Sequence, residues 1–79
     1  MSMPNLRLPN MQKRSVRIAG HSTSLSLEPE FWAELKRIAA EEGVSVNQLV
    51  ARVDAEAGRS GNLCSALRVF VLRWVKVER

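Results

Sequence analysis

Apolar positions change period along this chain of 79 residues. Thr23, Leu25 and Leu27 alternate with Ser22, Ser24 and Ser26, the two-residue period of a half-buried strand. From Pro29 the period lengthens: Phe31, Leu35, Ile38 and Ala39 recur at helical spacing, with Trp32 flanking the stripe. Pro29 suits a first helical turn, where its missing N–H is no loss, and Glu28 and Glu30 put negative charge at the positive end of the dipole. Gly43 supplies a left-handed stop. Ser45 is a good N-cap for a second helix, whose Val46, Leu49, Val50, Val53 and Ala57 share one face.

The flanks are less regular. Gly58-Arg59-Ser60-Gly61 ends the second helix, and Asn62 can cap a third. Leu63, Ala66, Leu67, Phe70, Val71, Trp74 and Val75 form its apolar stripe, which Val69 and Leu72 broaden. Upstream, Lys13 to Ile18 alternates weakly before Gly20 breaks the pattern, so residues 14–27 read as one bent strand or two short ones. Residues 1–12, with Pro4 and Pro9, read as a flexible arm. The pattern divides the chain into that arm, a strand and two helices over residues 13–57, and a loop and packed helix over residues 58–79.

A lone strand before two helices leaves its backbone hydrogen-bonding groups without a partner, and the nearest candidate is a second copy. Size points the same way. A chain this short buries a small core and often needs a metal, disulfides or oligomerisation. Cys64 is the only cysteine and His21 the only histidine, which excludes an internal disulfide and nearly excludes a structural zinc. The expectation is a homodimer with no cofactor and no metal. With no signal-peptide h-region and no transmembrane-length apolar run, the default location is the cytoplasm.

The net charge of +4 is unevenly spread. Residues 1–27 carry Arg7, Lys13, Arg14 and Arg17 and no acid. Residues 28–57 carry three bases against seven acids, and residues 58–79 five bases against one. Two basic ends around an acidic middle suit a polyanion partner met from limited surfaces.

Strand, turn, helix, Gly43-Val44-Ser45-Val46-Asn47, helix is a layout that resembles the ribbon-helix-helix DNA-binding proteins of the MetJ/Arc type. The stretch from Lys13-Arg14-Ser15-Val16 through Gly20-His21 to Asn62-Leu63 and Val69-Phe70-Val71 further resembles a bacterial subfamily of small proteins with an extra C-terminal helix. The resemblance implies a mostly α fold with a short β-ribbon, an intertwined homodimer, and a ribbon that enters the major groove of double-stranded DNA. It makes the protein a transcriptional regulator associated with the nucleoid. Carried onto this sequence, it makes Ser22, Ser24 and Ser26 the base-contacting residues, with Leu25 and Leu27 turned inward. Because serine pairs with any base, Arg17, His21 and the Lys13-Arg14 pair are expected to add contacts. The start of the second helix, at Val44, Ser45, Val46 and Asn47, offers amides to a phosphate. Core and dimer contacts fall to Leu25, Leu27, Trp32, Leu35, Ile38, Leu49, Val50, Val53, Phe70 and Trp74.

Other chemistries find little here. Serine is abundant, yet there is no Gly-x-Ser-x-Gly elbow and no histidine placed as a base, so an enzyme is not expected. Cys64 reads as a half-buried structural thiol. The apolar excess at Phe70, Val71, Leu72 and Trp74 supports an alternative, a protein-interaction module of antitoxin-like or scaffold type that holds a partner with its third helix. A basic amphipathic helix could also lie on an anionic membrane, but the breadth of its apolar stripe favours protein packing.

Overall fold

The computed structural model describes residues 11–57 and 62–78. Two strands, β1 (Gln12–Ile18) and β2 (His21–Leu27), are followed by three helices, α1 (Pro29–Glu42), α2 (Val46–Ala57) and α3 (Leu63–Glu78). The strands pair antiparallel from Gln12 opposite Leu27 to Ile18 opposite His21. The partner strand expected from a second copy is therefore supplied by the same chain. The open choice over residues 14–27 resolves as two strands, and the arm assigned to residues 1–12 gives up Gln12 to β1. Residues 1–10 and the 58–61 break lie outside the described residues.

Ala19 and Gly20 make the reversal in two residues, both left-handed, with φ of 51° and 82°. Such a two-residue turn follows the twist of the strands it joins. Gly20 adopts this backbone freely, and Ala19 does so against its Cβ.

Inward positions of the hairpin are Val16 and Ile18 on β1 and Leu25 and Leu27 on β2, all buried. They pack on Trp32, Leu35, Ile38 and Ala39 of α1, Leu49, Val50 and Val53 of α2, and Leu67 and Val71 of α3. The four aromatic residues divide by burial. Trp32 is the buried aromatic of α1 and Phe31 the half-buried one, the reverse of the expected stripe. Phe70 and Trp74 are also half-buried, while Leu67 and Val71 carry α3 into the core. Trp32 wins its place because its indole N–H reaches the Gln12 carbonyl at 2.8 Å, so its one polar atom is satisfied on burial.

Local chemistry sets the helix ends. Gly43 has φ of 69°, and the amide of Val44 bonds the Ala39 carbonyl at 3.0 Å, closing α1 in a Schellman motif. Ser45 Oγ accepts from the Gln48 amide at 3.0 Å while Gln48 Oε1 accepts from the Ser45 amide at 2.8 Å, a reciprocal capping box. Asn62 caps α3 through the Cys64 amide at 2.9 Å. Arg37 grips both carboxylate oxygens of Glu78 at 2.8 and 2.9 Å, tying α1 to the end of α3. Arg68 does the same for the start of α1, bonding Glu28 at 3.0 Å.

Candidate nucleic-acid interface

Strand geometry sorts the predicted contact residues into two faces. Directly opposed residues in an antiparallel pair point to the same side, and successive residues alternate. Because Val16 and Ile18 point inward, Lys13, Ser15 and Arg17 point outward, opposite Ser26, Ser24 and Ser22. The outward face therefore carries two cations and four serines and no acid. Lys13 and Arg17 are exposed, and their charged heads meet no carboxylate among the described residues. Ser22 and Ser24 are exposed as well, whereas Ser26 is half-buried beside Cys64, whose Sγ lies 3.5 Å from the Ser26 carbonyl.

Arg14 and His21 belong to the other parity, with the core-facing residues. His21 sits exposed at the turn, opposite Ile18. Arg14 lies with its guanidinium 5.3 Å from the centre of the Trp32 ring, a cation–π contact that directs it toward α1. The pair Lys13-Arg14, adjacent in sequence, is thus split between the two faces.

The start of α2 abuts β1 near the turn. Asn47 Oδ1 accepts from the Arg17 amide and Asn47 Nδ2 donates to the Arg17 carbonyl, both at 2.7 Å. Those two backbone groups consequently point away from β2, which identifies Arg17 and Ser22 as a non-hydrogen-bonded pair. By alternation the Ser22 and Ser24 backbone groups face the outer edge of β2. Of the four residues expected to offer amides, Val44 already bonds Ala39 and Ser45 bonds Gln48. The amides of Val46 and Asn47 meet no acceptor among the described residues. The capping partner Gln48 escaped the sequence reading, although the Ser-x-x-Gln spacing signals it. The Asn47 clasp joins residues 30 apart and has no sequence signature.

Two further surfaces stand apart from the ribbon. An open groove of about 770 Å³ runs between α2 and α3, lined by Val53, Ala66, Phe70, Trp74 and Val77 and rimmed by Glu41, Glu56 and Glu78. The Glu78 carboxyl is held below the usual carboxylate range, chiefly by Arg37 and in small part by the Trp74 indole, whose buried N–H falls short of a formed hydrogen bond. At the other end of α1, the Glu28 carboxyl is held low by its own backbone amide and then by Arg68. Among the described residues no three His, Cys, Asp or Glu side chains gather as metal ligands, and no helix is long and apolar enough to cross a membrane.

The family model described as the ribbon-helix-helix domain matches residues 11–75. A solved structure, that of an uncharacterized protein from Bordetella pertussis Tohama I, aligns with a TM-score of 0.78 at 38% identity. The alignment covers 95% of this chain and 63% of that one, so this chain spans a little under two thirds of its relative's length. No curated protein matches.

Proposed function

This chain belongs to the ribbon-helix-helix family, and on that premise we propose that it is a double-stranded DNA-binding homodimer and a transcriptional regulator of the nucleoid. The outward face of the β1–β2 hairpin enters the major groove. One observation carries this reading: Lys13 and Arg17, exposed and without carboxylate partners among the described residues, rise from a ribbon face otherwise made of serines. A two-stranded ribbon fits the major groove, and long cations beside short hydroxyls can reach base edges and phosphates. The Val46 and Asn47 amides, at the positive end of α2, are available to a neighbouring phosphate. His21 serves at the margin of the ribbon, while Arg14, held on Trp32, makes no contact with the duplex.

The outer edge of β2 is where a second chain adds. On β1, Asn47 occupies the corresponding backbone groups at Arg17. Titration of a fluorescent random duplex, with mass-resolved size exclusion at two salt concentrations, tests both parts. Salt-dependent binding by a particle of two chains is expected. A monomer with salt-independent or undetectable affinity overturns the proposal.

The groove between α2 and α3 favours a second use of the same dimer, as a docking surface for another protein. Val69 and Val77 are exposed along its α3 wall. Removing them by polar substitution would abolish such docking without altering DNA affinity.

A further inference from the structure

We infer that the Asn47 side chain positions Arg17, a clasp on the ribbon where a phosphate ligand was expected, with the backbone amide of Asn47 left to the duplex. The inference rests on the DNA-binding reading above for its consequence, though not for its geometry. The Asn47 carboxamide presents one acceptor and one donor to the Arg17 backbone, both at 2.7 Å, which is the pattern a neighbouring strand residue would present. One of the two Nδ2 N–H donors is thereby committed to the strand, and Oδ1, an acceptor already filled by the Arg17 amide, offers a phosphate nothing. The Arg17 side chain, by contrast, is exposed and outward.

Position in the hairpin explains why a clasp is placed there. Arg17 lies one residue before Ile18, whose neighbour Ala19 begins the left-handed turn. A two-stranded ribbon is marginal on its own and frays from its ends. Ile18 and Val16 anchor the inward face, but among the described residues no side chain packs over Arg17 on the outward face. Asn47 supplies that anchor from the first turn of α2, whose own start is fixed by the Ser45–Gln48 capping box. The strand, its one long reader near the turn and the first turn of α2 become one rigid unit. Arg17 then meets a base edge without first losing backbone freedom, which improves discrimination more than general affinity.

The test compares wild type, Asn47→Ala, Arg17→Ala and the double variant on two probes: a duplex enriched from a random library by the wild-type protein, and a random duplex. Hydrogen exchange of the Arg17 amide is measured on the free proteins. Asn47→Ala is expected to lower the ratio of specific to random affinity about tenfold and to speed Arg17 exchange about tenfold, the size of one hydrogen bond. The salt slope should not change, because no cation is removed. On the Arg17→Ala background the same substitution should cost no further discrimination, a coupling that a general loss of stability would not produce. Equal weakening on both probes with unchanged Arg17 exchange would make Asn47 a phosphate ligand and overturn the inference. Should the alanine variant not fold, Asn47→Ser, too short to make both bonds, takes its place and must likewise speed Arg17 exchange; unchanged exchange overturns the inference. If the wild type enriches no sequence, DNA reading fails while the exchange arm still decides the clasp.

Discussion

Arg14 and Arg17 are three residues apart and carry the same charge, yet the hairpin assigns them opposite duties. Arg17 is outward and unpaired, whereas Arg14 leans on Trp32 at 5.3 Å. If each chain of a dimer brings Lys13 and Arg17 into the groove, where a cation on a base edge also displaces a counterion from the flanking phosphates, four charges are neutralised, and log K falls against log salt with a slope of about −3.6. A fourfold rise in salt then weakens binding roughly 150-fold. Arg17→Ala removes one contact per chain and flattens the slope by about 1.8, leaving a loss of roughly 12-fold over the same range. Arg14→Ala leaves the slope in place, and its cost appears in stability instead, about 0.5–1 kcal/mol for an exposed cation–π pair. Other cations add equally to every variant, so the differences carry the test. Anisotropy titrations of one duplex at about 50 and 200 mM salt, with urea unfolding of the same proteins, measure both quantities. Equal flattening by the two substitutions would refute the sorting of faces, and no flattening by either would refute the groove-facing ribbon.

Further expectations concern the scaffold. Leu27 is fully buried at the junction of ribbon and helices, so Leu27→Ala should lower stability by about 3 kcal/mol, read as a lower urea midpoint with an unchanged m-value. Ala19 holds φ of 51° at the first turn position; Ala19→Asn, which tolerates that backbone, should raise stability by roughly 0.5–1 kcal/mol. Glu28 and Glu78 are both held below the ordinary value of 4.5. Their folded forms bind protons less readily than the unfolded chain, so their contribution is complete above that pH and lost as pH falls through the lower folded-state values. Arg37→Met releases Glu78, and the decline in urea stability from about pH 7 to about pH 3.5 should become shallower than in wild type.

Elements with local chemistry were legible in the sequence. The β2 alternation, Pro29, Gly43 with its Schellman geometry, and the Ser45 and Asn62 caps all fall where their side chains predict. The first strand was harder to see. Its outward positions are Lys13, Ser15 and Arg17, and half of its inward positions are Gln12 and Arg14, which Trp32 covers from α1. Only Val16 and Ile18 were left to show a period. Phe31 and Trp32 are neighbours on the helix and either could have turned inward; a hydrogen bond to Gln12, 20 residues away, decides it. The sorting of Arg14 from Arg17 depends on the register with β2 and lies beyond any single-strand reading.

Pairing within the chain gives the ribbon two unlike strands, and this changes what it can recognise. Two identical copies of β2 paired across a dimer would set serine against serine and offer no cation to the groove. The β1–β2 hairpin sets Lys13 across from Ser26 and Arg17 across from Ser22, so each long side chain rises beside a short one. Between them stands Ser15 opposite Ser24. Four residue steps lead from Lys13 to Arg17, about 13 Å along the ribbon, or roughly four base-pair steps. The hydroxyls at the centre pair with any base, while arginine or lysine on guanine is the commonest specific contact. On the proposed reading, each hairpin should show sequence preference at the two ends of a footprint of about four base pairs and tolerance in its middle. Selection from a random duplex library measures this directly. A preference concentrated at the centre, or one that survives Lys13→Ala with Arg17→Ala, would mean that something other than these two cations reads the DNA.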